Sequence, residues 1–240
     1  MHVIVTGSSR GIGKSICSSL LAKSHSVLGI SRSLSGAFNQ KGYTHMACSF
    51  DDMDQLEQLQ SLFTSPNIPG ILINNAGIFE EAPIECTQDG AWLENWDRIH
   101  QVNLRAPALL CKWAIESWCE HQIPGIIINI ASRAAYRGDT EEFASYASSK
   151  GGLVAFTKSV ARSFGKKGIT AFTICPGFVE TDMARNSIDV YGEEYLTQDL
   201  ALSEIVPPEQ IGELCAAIST GNLSHMTGQT FHINSGSYLV

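Results

Sequence analysis

Short apolar, β-branched runs alternate along the chain with longer stretches of helical period. The strand candidates are 2–6, 26–30, 44–48, 70–73, 125–131, 170–175 and 230–233; the helix candidates are 11–23, 53–63, 93–120, 143–165 and 208–220. Ile71-Leu72-Ile73 and Ile126-Ile127-Ile128 have no polar alternate face. Strands of that kind are covered on both sides, as in a parallel sheet between helical layers. The alternation predicts βαβ units and an α/β fold: a doubly wound parallel sheet of about seven strands flanked by helices. No linker, repeat or internal boundary interrupts it, so residues 1–240 read as a single domain. Two stretches, 78–90 and 185–205, are long, turn-rich and polar, and loops of that length in a compact domain usually carry function.

Composition narrows the classes. A chain of 240 residues with 44% hydrophobic and 17% charged positions can build one large core. No apolar window reaches the roughly 18 residues of a membrane span, and the start lacks the basic and apolar regions of a secretory signal. A cytoplasmic protein without a membrane partner is expected. The formal charge is −8, which argues against a nucleic-acid partner. No Lys or Arg follows Arg185, whereas Asp189, Glu193, Glu194, Asp199, Glu204, Glu209 and Glu213 do. Seven cysteines, an odd number without a CxxC pair, read as reduced, mostly buried thiols, and no spacing suggests a metal site.

The first strand runs into Thr6-Gly7-Ser8-Ser9-Arg10-Gly11-Ile12-Gly13, and a helix follows. Glycines there permit a sharp turn and a close approach of a diphosphate to the backbone. The helix N-terminus adds free N–H groups and a positive dipole end. The loop therefore reads as a dinucleotide site on a Rossmann-like sheet, with Gly7, Ser9, Arg10, Gly11, Ile12 and Gly13 against the cofactor. The alternative is a tight strand-to-helix turn with no ligand.

Here the chain resembles the short-chain dehydrogenase/reductase family, whose coenzyme loop is TGxxxGxG. The likeness continues through Asn74-Asn75-Ala76-Gly77, Asn103, Ser132, Tyr146-Ala147-Ser148-Ser149-Lys150, and Pro176-Gly177 with Thr181, in family order over nearly the whole chain. It implies an oxidoreductase that moves hydride between a nicotinamide and a carbonyl or secondary alcohol. It also implies that Asn74, Ala76 and Gly77 line the cofactor cleft, and that Pro176, Gly177, Val179 and Thr181 border the nicotinamide and diphosphate. A homo-oligomer, a tetramer in many members, is expected by the same likeness.

Tyr146 and Lys150 stand four apart on a predicted helix and so share a face. An ammonium beside a phenol favours the phenolate, so the tyrosine pKa is expected to fall and Tyr146 to serve as proton donor or acceptor. Ser132 ends the 125–131 strand, where it can hydrogen-bond a substrate carbonyl. Asn103 sits within a predicted helix, a mediocre place for asparagine. By resemblance it kinks that helix and holds a water leading to Lys150, and Lys150 also meets the cofactor ribose. The catalytic set is thus Asn103, Ser132, Tyr146 and Lys150.

The second strand ends in Ser31-Arg32, where NAD enzymes carry an acid that binds the ribose hydroxyls. A carboxylate would repel a 2′-phosphate; Ser31, Arg32 and Arg10 would bind one, so NADP(H) is expected. The adenine contact falls to Ser49 or, with a shift of two, to Asp51. The substrate is expected to be a small carbonyl or alcohol compound, with uncharged ketones or diketones foremost, under an acidic lid around 185–205. One alternative is a 3-oxoacyl-carrier-protein reductase of fatty-acid synthesis, which several motifs resemble; Lys166 and Lys167 could then dock an acidic carrier. The other is a non-catalytic dinucleotide-sensing protein on the same fold.

Overall fold

The computed structural model describes residues 1–33, 40–64, 66–181 and 197–239. Seven strands form one parallel sheet: β1 (His2–Thr6), β2 (Ser26–Ser31), β3 (Tyr43–Ala47), β4 (Ile71–Asn74), β5 (Gly125–Ile130), β6 (Ile169–Pro176) and β7 (Thr230–Ile233). Their spatial order is β3-β2-β1-β4-β5-β6-β7. The order reverses between β1 and β4, and ligands of open α/β sheets bind at the carboxyl ends beside such a reversal. The doubly wound sheet expected from the hydrophobic pattern is the one observed.

The central strands β4 and β5 are buried at every position, whereas the edge strands β3 and β7 are largely half-exposed or exposed. On one face Ile4, Leu72 and Ile127 pack under α2 (Met53–Gln58), α4 (Ala106–His121) and α6 (Ala144–Phe164). On the other face Val3, Ile73 and Ile128 pack under α1 (Gly11–Ala22) and α7 (Pro208–Ile218). Alternate side chains of each strand thus feed opposite cores, which is why the strands read as unbroken apolar runs.

The expected helix 93–120 is two helices. The first, α3 (Asp89–His100), passes into α4 through a widened π turn at Gln101–Arg105. Pro107 explains the change. It has no N–H to offer the carbonyl of Asn103 four residues earlier, so the regular ladder cannot continue. Two shorter helical elements, α5 (Ala134–Arg137) and a 3-10 turn (Glu141–Phe143), lie between β5 and α6.

Residues 182–196, which hold Asp189, Glu193, Glu194 and most of the expected lid, lie outside the described residues. The chain on either side is held together. Val179 and Val206 form a parallel bridge, Glu180 N donates to Val206 O at 3.0 Å, and Val206 N donates to Phe178 O at 2.9 Å. The seven cysteines are free thiols, and burial pushes Cys111 up to about 12. No helix among the described residues is long and apolar enough to cross a membrane.

One tight packing point under the sheet is Gly125, at the start of β5. A Cβ there would fall 2.1 Å from Cε3 of Trp118. Trp118 is fully buried, and its indole N–H donates to Pro69 O at 2.7 Å. Shifting that ring would break a buried hydrogen bond. Gly125→Ala is therefore expected to lower stability by about 1–3 kcal/mol, as overpacking does. Urea denaturation would show this as a lower midpoint at unchanged slope; an unchanged midpoint would mean that Trp118 can move freely.

Candidate active site

The loop after β1 folds as its glycines require. Gly7 has φ +66°, and a Cβ on Gly13 would fall 2.0 Å from Gly7 O. Neither site admits a side chain, so the backbone N–H groups at the start of α1 stay open to an incoming group. The loop after β4 closes against it. Thr6 Oγ1 accepts from the N–H groups of Asn75 and Ala76, both at 3.0 Å, and Asn75 Nδ2 donates to Thr6 O at 3.1 Å and Gly7 O at 3.2 Å. Between these loops runs a groove of about 610 Å³ formed by described residues.

Gly7, Ser9, Arg10, Gly11, Ile12 and Gly13 line one wall of the groove; Ala76 and Gly77 line the other. Ser31 and Arg32 close the far end, beside Ser49 and Asp51. Arg10 and Arg32 are exposed, and neither makes an ion pair with another described residue. Ser31 is 6% exposed; its hydroxyl donates to Ser33 O at 3.1 Å and pairs with His45 Nε2 at 2.8 Å. Ser49 donates to the Asp51 carboxylate. That bond, with Arg98 3.5 Å away, holds the Asp51 carboxyl below the usual carboxylate range. Both candidates for the adenine contact are therefore at the groove.

Asn74 is not. It is 1% exposed, and its amide donates to Asn129 Oδ1 at 2.8 Å and Cys111 Sγ at 3.2 Å within the core. Strand alternation turns this side chain inward, and the groove contact passes to Asn75. The fit to a dinucleotide is otherwise that of the residues present: a loop whose glycines let the backbone come close, helix-end donors, and exposed Arg10 and Arg32 at the groove.

The groove continues into a second cleft of about 160 Å³ at the ends of β5 and β6, and Gly77, Ile12 and Thr181 border both. Ser132, Tyr146 and Lys150 line this cleft, as do Pro176, Gly177, Val179 and Thr181. Three of the four expected catalytic residues thus meet in the cleft; the fourth, Asn103, borders neither the cleft nor the groove and is buried behind their wall. Asn103 lies on the π turn, 0% exposed. Its Oδ1 accepts from Ile78 N at 2.9 Å, and its Nδ2 donates to Ile78 O at 3.0 Å and Ser149 Oγ at 3.2 Å. Lys150 Nζ donates to Ile130 O at 3.0 Å and would stand 3.3 Å from a Cβ on Gly77.

The electrostatics differ from the expectation for a tyrosine beside a lysine. Burial pushes the Tyr146 phenol up to about 12, with the Ser132 hydrogen bond working against the shift. Burial pulls the Lys150 ammonium down to about 8. Lys150 Nζ stands 5.8 Å from the Tyr146 ring centroid, and desolvation is the leading cause of both shifts. The phenol is accordingly a group that holds its proton at neutral pH.

Several cleft residues carried no motif. Phe79 stacks on Phe143 at 4.0 Å and meets Tyr146 edge-on at 4.8 Å, fixing the phenol ring. Arg133 lines the cleft directly after Ser132, with its guanidinium 4.3 Å from the Phe178 ring centroid. Asp139 is there too, with Arg137 at 3.9 Å. Only the position of Arg133 at a strand end, next to Ser132, could have marked it in advance.

The comparisons agree with this geometry. A 3-oxoacyl-acyl-carrier-protein reductase of Vibrio cholerae is 32% identical over 243 residues, covering 99% of this chain and 97% of that protein. A 4-hydroxyisoleucine dehydrogenase complexed with NADH superimposes with a TM-score of 0.89 at 25% identity, covering 98% of both chains. A putative NAD(P)-dependent gluconate 5-dehydrogenase of Beutenbergia cavernae, with bound NADP, gives 0.89 at 24% identity over 98% and 96% and shares the fold. The short chain dehydrogenase family model matches residues 1–191. The protein is a nicotinamide-dependent oxidoreductase that belongs to the short-chain dehydrogenase family.

Proposed function

We propose that the protein is an NADP(H)-dependent reductase of small carbonyl compounds, working in a single catalytic domain with a lid around residues 185–205. The observation that carries the reading is that Ser132, Tyr146 and Lys150 line one cleft continuous with a dinucleotide-shaped groove, with Asn103 buried behind its wall against Ile78 and Ser149. A non-catalytic sensor would have no use for that set. The cofactor, when bound, supplies the hydride. Ser132 donates a hydrogen bond to the substrate oxygen and holds it beside Tyr146. The Tyr146 hydroxyl gives its proton to that oxygen as negative charge develops there. Lys150 contributes positive charge near the phenol and a donor for the ribose hydroxyls. Asn103 acts by position, clamping the Ile78 backbone so that the cleft wall stays in register with Ser149 and Lys150. Phe79 and the apolar wall around it exclude water, which strengthens these interactions.

The preference for NADP(H) rests on exposed Arg10 and Arg32 at the groove and on Ser31 in place of an acid. A homo-oligomer, a tetramer by family likeness, and a cytoplasmic setting complete the proposal. The reading as a carrier-protein reductase draws support from the Vibrio cholerae relative. Against it stand the acidic residues beyond Arg185 and the Cys119-Glu120-His121 end of α4, which offers no basic pair. The test is loss of NADPH absorbance with a panel of diketones and oxoesters, set beside a carrier-linked oxoacyl substrate. A strong preference for the carrier-linked form that fades with salt would restore that reading.

Three outcomes are expected. Tyr146→Phe removes only the phenol proton and should lower kcat by about 10²–10⁴-fold, the usual cost of losing a general acid, with NADPH binding retained. More than about a tenth of wild-type turnover would contradict the assignment. Arg32→Ala should raise KM for NADPH by about 10-fold and leave that for NADH nearly unchanged, since a charge-assisted bond to the 2′-phosphate is lost. Equal effects on both would make Arg32 a surface residue. The pH profile of kcat/KM for reduction reports groups of the free enzyme. With Tyr146 raised to about 12 and Lys150 lowered to about 8, the phenol stays protonated while the ammonium is lost as pH rises. Reduction should hold level below pH 8 and decline above it. A plateau reaching pH 10 would show that the charge on Lys150 is not used.

A further inference from the structure

We infer that His45 on β3 is a positioning residue for cofactor choice: it holds the Ser31 hydroxyl as a hydrogen-bond donor toward a 2′-phosphate in the groove. This rests on the NADP(H) reading above and deepens it. Ser31 ends β2 and borders the groove beside Arg32. Its Oγ has two partners, Ser33 O at 3.1 Å and His45 Nε2 at 2.8 Å. A hydroxyl carries one proton, and a carbonyl oxygen can only accept, so that proton lies on Ser33 O. The second contact then requires the imidazole to donate, through Nε2–H. The other ring nitrogen, Nδ1, is buried and pairs with no described residue. Buried N–H groups are left unpaired more rarely than buried acceptors, which favours the same tautomer. Burial also lowers the imidazole pKa, so His45 is neutral at neutral pH and acts through that one N–H.

The tautomer decides what Ser31 offers a ligand. With His45 donating into the Ser31 oxygen, the serine proton can turn from Ser33 O to a phosphate oxygen while the serine oxygen keeps a partner. With His45 accepting, that proton would be spent on the ring, and Ser31 would present only lone pairs. An ionised phosphate oxygen needs a donor, whereas a ribose 2′-hydroxyl can donate or accept. The phosphate-bearing cofactor therefore depends on His45, and the one without it does not. The same face of β3 serves the groove a second time. Tyr43, two residues before His45 and so on that face, pairs its hydroxyl with Ser8 Oγ in the glycine loop at 3.1 Å. Gly29 leaves the room for this pair, since a Cβ there would fall 2.2 Å from the Tyr43 hydroxyl oxygen. Parallel pairing sets Gly29 opposite His45 and Ser31 opposite Ala47, which puts the imidazole one step along the sheet from Ser31. The strand that carries these side chains lies at the edge of the sheet and is otherwise half-exposed or exposed.

The test titrates the full chain with NADPH and with NADH, read as cofactor fluorescence, and needs no turnover. His45→Phe should weaken NADPH binding by about 3–10-fold, the worth of one hydrogen bond, and leave NADH within about two-fold. His45→Gln, whose amide N–H has a reach similar to that of Nε2, should keep most of the NADPH affinity. In a Ser31→Ala background, His45→Phe should add less than about two-fold, since its effect runs through Ser31. Long-range proton–nitrogen spectra of the wild-type chain should show His45 as the Nε2–H tautomer, its signal assigned by its loss in His45→Gln. Melting temperature reports whether each variant is folded; if His45→Phe is not, the wild-type tautomer decides. An Nδ1–H tautomer would overturn the inference. So would equal weakening toward both cofactors, which would give His45 a structural role alone, full additivity with Ser31→Ala, or a His45→Gln as weak as His45→Phe. A wild-type preference for NADPH that survives His45→Phe unchanged sinks this inference alone; a wild type that binds NADH as tightly as NADPH sinks the NADP(H) reading with it.

Discussion

Thr6 at the end of β1 accepts two backbone N–H groups from the turn after β4, and Asn75 returns two bonds to Thr6 and Gly7. These four hydrogen bonds join the two loops that face each other where the strand order reverses. The groove depends on that joint. Without it the glycine loop would have no opposite wall, and the turn at Ala76-Gly77 would have no fixed distance from α1. A side chain is excluded at Gly7 because the joint brings the Ala76 backbone against it, and at Gly13 because the loop folds Gly7 O onto it. The same closeness leaves the N–H groups of the loop pointing at whatever lies in the groove.

The second constraint is the break between α3 and α4. Pro107 withholds one N–H, the helix widens, and Asn103 is turned so that both ends of its amide meet the Ile78 backbone. This links the wall after β4 to Ser149, one residue before Lys150. Burial then sets the proton chemistry. Tyr146 and Lys150 are both pushed toward their neutral forms, the phenol up and the ammonium down.

Arg10 and Arg32 border the groove in solvent, where a charge contact with a bound phosphate would be screened. Arg133 borders the second cleft and is largely withdrawn from solvent. Flanking residues 182–196, Phe178–Glu180 pairs with Val206 directly after Pro176-Gly177 in the chain.

The alternation of apolar runs and helical stretches was enough to reveal the sheet, because strands buried on both faces leave no polar positions to hide the pattern. The glycine loop, Ser132, Tyr146 and Lys150 were equally legible, since each needs its residue type for a local reason: a turn, a strand end, a helix spacing. The split of 93–120 into α3 and α4 is local as well: it follows from one missing N–H at Pro107, although the apolar period runs through the break. Three things were decided only by the tertiary structure. The exchange of Asn74 for Asn75 at the groove follows from which way β4 alternates once it is seated between β1 and β5. The rise of the Tyr146 pKa follows from burial, which spacing to Lys150 cannot report. The place of Arg133 in the cleft follows from Phe178, 45 residues away in the chain, arriving beside it on the end of β6. Local chemistry is written in neighbouring residues; burial and long-range contact exist only once the chain has closed on itself.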